Sequence, residues 1–325
     1  MNAAYQSLQL AVSDPAHVDA ARRAAVREAG AVTADETLLG RLTVVVQEMA
    51  RNLVNHAGGG DLLVNASPAG IALLAVDNGP GMTNVAQCLA DSYSTTGTMG
   101  AGLGAIRRMS DTFDLFSQPG MGTVVYAFIA LERVATSGFA SGAVCTPHPS
   151  ETVCGDAWAV KGNRVMVCDG LGHGHNAHAA SALARRLFLE HDPQLGLEQL
   201  LERTHRALSS TRGGAIAFAE IQPDLGQVRF CGAGNIAGVL LGDRSRSMVS
   251  ANGTAGYRIG RIQSFSYPWD RDTLLVMSSD GISSKWGSAT YPGFQGRHPA
   301  IIAALIHRDY KRLNDDATVV VVRSE

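Results

Sequence analysis

Glu48 and Asn52 stand four residues apart in a stretch of helical apolar spacing, which places both side chains on one face. A carboxylate beside an amide there orders a water or hydroxyl and offers oxygen to Mg²⁺, which prefers hard oxygen ligands. Asp77-Asn78-Gly79-Pro80-Gly81 directly follows an apolar strand. A carboxylate at such a strand end accepts from an exocyclic amine, and Gly79 and Gly81 let a ring approach the backbone. Gly97-Thr98-Met99-Gly100-Ala101-Gly102-Leu103-Gly104 runs into a helix, where free N–H groups form an anion site. No G-K-[ST] follows, so this is not a P-loop, and it opens no strand–turn–helix unit of Rossmann type. Gly120-Met121-Gly122-Thr123 completes the series. Singly, each piece has an ordinary explanation: a solvated helix face, a strand-to-turn junction, a flexible loop, a hairpin. In this order within one stretch of chain, the four pieces are more specific than any one alone.

A second set of residues is acidic. Asp156 lies in Gly155-Asp156-Ala157-Trp158, and Asp169 opens Asp169-Gly170-Leu171-Gly172-His173-Gly174 after an apolar strand. Asp280 follows Leu274-Leu275-Val276-Met277-Ser278-Ser279, and Asp315-Asp316 precede another apolar strand. A carboxylate at such a place is desolvated by its own strand unless something compensates it. A cluster of them suits divalent cations with oxygen preference, Mg²⁺ or Mn²⁺. Two such ions activate a water and clamp a phosphoryl group for in-line displacement. One Asp-Gly alone is an ordinary turn signal; G-D, D-G-x-G-H-G, S-D-G and D-D-x-T in this order is more than that. His173, His175 and His178 form H-x-H-x-x-H, but no cysteine partners accompany them and zinc is disfavoured. His175 and His178 are expected to be solvated near a helix start, and His56 to be a helix-end residue.

The elements that must position these residues are legible. Residues 37–55 carry Leu38, Leu42, Val45, Val46, Met49 and Leu53 at helical spacing, with Asp35 as a cap and Gly58-Gly59-Gly60 as the stop. Strands are expected at 62–66 and 71–76, a helix at 103–109, and a hairpin of 113–117 and 123–131 around Pro119-Gly120-Met121-Gly122. Residues 133–142 are small and polar and contain the linker. Strands at 157–160 and 164–168 join through Lys161-Gly162-Asn163. Helices follow at 177–189 and 197–208, then strands at 215–221, 227–231, 237–241, 273–278 and 318–322.

Composition sets the bounds. At 325 residues, two domains are the first expectation, and 46% hydrophobic residues supply a core for each. Net charge is −2. Residues 1–136 hold eight Lys/Arg against twelve Asp/Glu; the remainder holds nineteen against seventeen. Neither half is a polycation, so no nucleic-acid partner is expected, and a DNA-handling ATPase is disfavoured. Apolar runs fall short of a membrane span, and the N-terminus lacks the pattern of a signal peptide. Five cysteines without a C-x-x-C pair fit reduced thiols and a cytoplasmic location.

E-x-x-x-N, D-x-G-x-G, G-x-G-x-G and G-x-G-T resemble the GHKL ATPase superfamily. The strings EMARNLVNHAG, DNGPGM, STTGTMGAGLGAIRRMSD and GMGT are similar to its RsbT-type branch of anti-sigma and switch serine kinases. The resemblance implies that ATP binds here. Asn52 would hold Mg²⁺, Asp77 the adenine, and Gly100, Gly102 and Gly104 the phosphates, with Gly79, Gly81 and Thr123 completing the pocket. Glu48 would activate the hydroxyl of a protein substrate. The acidic set resembles the protein phosphatase type 2C (PPM) family in its SpoIIE/RsbX-like branch, and Gly213-Gly214-Ala215 and Gly232-Ala233-Gly234-Asn235-Ile236 fit the same branch. By that resemblance Asp156, Asp169, Asp280 and Asp315 hold Mg²⁺ or Mn²⁺ with the Gly170 carbonyl, Asp315 being preferred to Asp316 as the first residue of its pair. Asp156 and Asp169 are the catalytic carboxylates.

The fold class that follows is α/β (α+β). Residues 1–133 form a GHKL (Bergerat) α/β sandwich with a mixed sheet covered by helices on one face. A linker occupies 134–141. Residues 142–325 form a PPM-type sandwich of two antiparallel sheets flanked by helices, with metals at one end. The implied function is a bifunctional regulator of a bacterial partner-switching pathway. It would phosphorylate and dephosphorylate Ser or Thr on a STAS-domain anti-sigma antagonist or stressosome-type protein. The alternative is a phosphatase whose ATPase-like domain only binds nucleotide and partner. The resemblance leaves room for a homodimer.

Overall fold

The structure, a computed structural model, describes residues 5–89, 102–131, 138–287 and 290–325. They fall into two compact units. One gathers the described residues of 7–135 and 296–304; the other gathers Tyr5 and Gln6 with the described residues of 136–295 and 305–325. Among the described residues no helix is long and apolar enough to cross a membrane.

The first unit is built on β1 (Leu8–Val12), α1 (Pro15–Ala29), α2 (Glu36–Asn52), β2 (Gly60–Ser67), β3 (Gly70–Val76), α3 (Val85–Leu89), α4 (Gly102–Met109), β4 (Thr112–Ser117) and β5 (Thr123–Ala130). The sheet order is β1-β2-β3-β5-β4. Every pairing in it is antiparallel, which corrects the expectation of a mixed sheet. The reason is local: β2–β3 and β4–β5 are both tight hairpins, and β5 inserts between β3 and β4. One sheet face supplies Leu62, Val64, Ile71, Leu73, Ala75, Val125, Ala127 and Ile129 at the two-residue strand period. Against it pack Val18, Ala21 and Ala25 of α1, Leu42, Val45, Val46 and Met49 of α2, and Ile106 of α4. Asp35 caps α2, accepting from Thr37 N at 2.8 Å and Leu38 N at 3.2 Å. A π-helical turn, Leu53–Ala57, then precedes Gly58, which is left-handed at φ 73°.

The second unit is a sandwich. β6 (Phe139–Thr146) begins inside the stretch read as linker and continues as a full strand. It is followed by β7 (Asp156–Lys161), β8 (Arg164–Gly170), α5 (His175–Glu190), α6 (Leu197–Leu208), β9 (Gly214–Gln222), β10 (Gln227–Ala233) and β11 (Ala237–Leu241). Three two-residue strands come next, β12 (Arg246–Ser247), β13 (Gly253–Thr254) and β14 (Arg258–Ile259). β15 (Phe265–Pro268), β16 (Leu274–Ser278), α7 (Pro299–Tyr310) and β17 (Ala317–Ser324) complete the order. The two antiparallel sheets run β15-β10-β9-β8-β7 and β12-β11-β16-β17-β6. Alternation on β8 divides the core: Val165 and Val167 join Met277, Val320 and Val322 between the sheets, while Met166 and Cys168 join Ala184, Phe188 and Leu201 under α5 and α6.

Candidate functional sites

In the first unit, α2 brings Glu48 and Asn52 to a cavity of about 880 Å³, whose wall also includes Asp77, Gly81, Gly102 and Thr123. A Cβ on Gly102 would stand 3.3 Å from Asn52 Oδ1 and 3.4 Å from Glu48 Oε2, so the start of α4 faces this pair directly. An incoming anion there meets the helix N-terminus on one side and the Glu48–Asn52 pair on the other. Arg51 forms an ion pair with Glu48 Oε1 at 3.1 Å, a contact the sequence reading missed. At the strand end, Asp77 Oδ1 accepts from Gly79 N at 2.8 Å and Thr123 N at 3.0 Å, which fixes its carboxylate against the hairpin. Gly122 makes that approach possible. Its φ is +69°, and a Cβ there would fall 2.1 Å from the Asp77 carbonyl oxygen. Ser117, also unforeseen, bonds Thr123 Oγ1 at 2.9 Å and accepts from Met82 N at 2.9 Å. His56 lies in the π-helical turn and lines the cavity. Gly104 is buried inside α4 and is not among the described residues of the cavity wall. Gly100 lies outside the described residues.

In the second unit, the β7–β8 hairpin sets Asp156 directly opposite Asp169. Opposed residues of an antiparallel pair project on one face, and two like charges there repel. Asp280, just past β16, and Asp315, just before β17, approach the same place. Ser279 N donates to Thr318 O at 3.1 Å and Thr318 N donates to Ser279 Oγ at 3.0 Å, joining those two strand ends. Ser279 Oγ also donates to Asp156 Oδ2 at 2.6 Å, which ties the two sheets together. Asp280 stands close enough to Asp169 and Asp315 to raise both carboxyl groups, and Asn235 Nδ2 donates to Asp280 Oδ2 at 2.6 Å. Ser279 and Asn235 are thus site residues to which the sequence reading gave no role. Gly170 closes β8, and its N–H donates to the Gly155 carbonyl at 3.1 Å.

Burial, followed by the neighbouring Asp316 and Asp315, raises Asp156 to about 7 even against the hydrogen bond from Ser279. Burial together with Asp156, Asp280 and Asp315 pushes Asp169 up further, to about 10. Asp315 is raised as well, by burial and Asp280. Asp156 Oδ1 and Asp316 Oδ2 are buried without a hydrogen-bond partner among the described residues. Repelling, desolvated, partly unsatisfied carboxylate oxygens are a donor set that hard divalent cations fit. Among the described residues no group of three His, Cys, Asp or Glu side chains is already drawn together as a ligand set. Asp316 is the more buried of its pair, and its Oδ1 accepts from His148 N at 2.9 Å; Asp315 is the one that reaches Asp280.

The histidines do not converge. His173 Nδ1 meets Glu151 Oε1 at 2.7 Å, whereas His178 lies 3.0 Å from the Cys154 carbonyl and 3.3 Å from the Tyr5 hydroxyl. His178 is therefore part-buried and tied down, not solvated as expected, because the chain start folds over it.

Residues 11–128 match the family model of the histidine kinase-like ATPase domain, and residues 160–325 match that of stage II sporulation protein E (SpoIIE). Asp156 stands just before the second span. The serine/threonine-protein kinase RsbT of Bacillus subtilis (strain 168) is 34% identical over 109 residues, covering 32% of this chain and 80% of that protein. A solved chain described with the bacterial stressosome, a modular system adapted to control secondary messenger signalling, is 25% identical with a TM-score of 0.53. The match covers 57% of this chain and 99% of the other. The chain belongs to the SpoIIE family through its second half, a protein phosphatase type 2C domain, and carries in its first half a GHKL-type, histidine kinase-like ATPase domain related to RsbT.

Proposed function

We propose that the chain is a bifunctional partner-switching regulator, divided functionally at 134–141, that phosphorylates a Ser or Thr on a STAS-domain partner and removes that phosphate again. The observation that carries the reading is a pair of separately built side-chain clusters: Glu48 and Asn52 facing Gly102 in one cavity, and Asp156 opposite Asp169 at strand ends elsewhere in the chain. In the first site Asp77 accepts from the adenine amine, Asn52 offers its amide oxygen to Mg²⁺, and the start of α4 receives the phosphates. Glu48 takes the proton of the attacking serine hydroxyl as the γ-phosphoryl of ATP passes to that oxygen and ADP leaves. In the second site Asp156, Asp169, Asp280, Asp315 and the Gly170 carbonyl would hold Mg²⁺ or Mn²⁺, which would supply an activated water and charge for the phosphoryl oxygens. Ser279 and Asn235 keep the carboxylates aimed. As water attacks, the phosphorus–serine oxygen bond breaks and that oxygen is protonated, giving serine and phosphate.

The test is transfer itself. With labelled ATP, Mg²⁺ and a purified STAS-domain protein, label is expected on a serine or threonine of that protein. Glu48→Ala should lower the transfer rate at least about 100-fold, the scale of a lost general base. If label never reaches the partner while ATP still changes partner affinity or phosphatase rate, the first half is a nucleotide-gated binding module and the kinase reading fails.

A further inference from the structure

The strand that carries Asp156 is held by the beginning of the chain. Tyr5 is 3% exposed and packs with Cys145, Cys154 and Ala157. Its carbonyl accepts from Trp158 Nε1 at 2.7 Å, its ring lies 4.8 Å beneath the Arg185 guanidinium, and its hydroxyl is 3.3 Å from His178 Nδ1. Gln6 supplies both halves of a strand-like pairing from one side chain: Nε2 donates to Thr152 O at 3.0 Å, and Oε1 accepts from Cys154 N at 3.0 Å. His178 Nδ1, 3.0 Å from the Cys154 carbonyl, adds a tie from α5. Asp156 is therefore bracketed, with fixed points four and two residues before it and two after it. Within that bracket it has one oxygen bonded by Ser279 and one unsatisfied. Gln6 and Tyr5, whose polar atoms are engaged with Thr152, Cys154, Trp158 and His178, thus hold the backbone on either side of a buried carboxylate.

We infer that Tyr5 and Gln6 are positioning residues for the phosphatase cation site, acting through Asp156. This rests on the reading of Asp156 as a metal ligand. Without the clamp, residues 152–158 lose two side-chain bonds to backbone and the cover over Cys145 and Cys154. Asp156 then relaxes away from Asp169, as repulsion between opposed carboxylates drives it to do. Partners that orient a ligand from outside the coordination sphere typically change metal affinity 10–100-fold. The clamp is joined through Ser7 to β1 of the other unit, so the segment that sets cation affinity in the phosphatase is continuous with the first strand of the nucleotide unit.

The experiment titrates the full chain with Mn²⁺, reading free Mn²⁺ by electron paramagnetic resonance and protein by thermal melting, alongside phosphatase rates. Gln6→Ala is expected to raise the Mn²⁺ concentration for half-saturation about tenfold, with a far smaller change in kcat at saturating Mn²⁺. Tyr5→Ala should shift it in the same direction. Tyr5→Phe, which keeps the ring and the carbonyl, should shift it less. A clamp that is only structural would lower the melting temperature and leave Mn²⁺ half-saturation where it is at temperatures where the variants are folded; that result overturns the inference. Asp156→Asn separates the two levels. If it binds Mn²⁺ as the unaltered chain does, the metal reading itself is wrong, whatever Gln6 does.

Discussion

Asp169→Asn is expected to remove phosphatase activity, on a phosphoserine protein and on p-nitrophenyl phosphate alike, by at least about 10³-fold, since several kcal/mol of charge stabilisation is lost with the ligand. The same variant should be more stable than the unaltered chain when no cation is added. Asp169 sits across the ladder from Asp156 and beside Asp280, both of which push its carboxyl up. Removing its charge relieves repulsion in a buried place. The pH dependence has a definite sign. Asp156 is raised to about 7 in the folded chain from an ordinary carboxylate value near 3.8. Between those values the folded state binds more protons than the unfolded one, so cation-free stability falls as pH rises through that window. Mn²⁺ should reverse the loss, raising the melting temperature more at pH 8 than at pH 5. Asp169→Asn should flatten both trends. Differential scanning calorimetry at the two pH values, with and without Mn²⁺, measures this. Retained hydrolysis, or a cation-free stability that rises with pH, would contradict the assignment.

Asp77→Asn should weaken ATP binding about 10- to 150-fold, the equivalent of one charged hydrogen bond at about 1.5–3 kcal/mol. The change is isosteric, and Asn Oδ1 still accepts from Gly79 N and Thr123 N, so the hairpin junction survives. Any loss is then attributable to the nucleotide, because an amide N–H₂ now faces a donor where a carboxylate accepted. Calorimetric titration with ATP and Mg²⁺ decides it. Affinity within a few-fold of the unaltered chain would remove Asp77 from the adenine site. Glu48→Gln offers the contrast: it should bind ATP nearly as well and fail only in transfer.

Much of this was legible because chemistry and turn geometry agree locally. Lys161-Gly162-Asn163-Arg164 is a short hairpin turn, and counting back along both strands from Lys161 opposite Arg164 puts Asp156 opposite Asp169. Asp35 capping α2 and the strand-end position of Asp77 were readable in the same way. Other features were hidden for identifiable reasons. β6 starts Phe139-Ala140-Ser141-Gly142, where three small residues follow one aromatic and no strand alternation shows until the run pairs with β17. α7 reads Pro-Ala-Ile-Ile-Ala-Ala-Leu-Ile, apolar on every side, so it shows no helical period. The roles of Ser279, Asn235, Tyr5 and Gln6 depend on partners 39 to 173 residues away, and no local spacing announces such pairings. His178 is tied to the chain start by the same kind of long-range contact.

The central claim is that two opposed activities in one chain act on one residue of one partner. It is tested most directly by following a single phosphosite in sequence. The Asp169→Asn chain, with ATP and Mg²⁺, is used to phosphorylate the STAS partner, and the site is located by intact-mass and peptide mass spectrometry. The purified phosphopartner is then given to the Glu48→Ala chain with Mn²⁺. The account predicts that the first reaction adds one phosphate and the second removes it from the same serine or threonine. A phosphopartner that the second chain leaves untouched, or a first reaction that adds nothing, would contradict it.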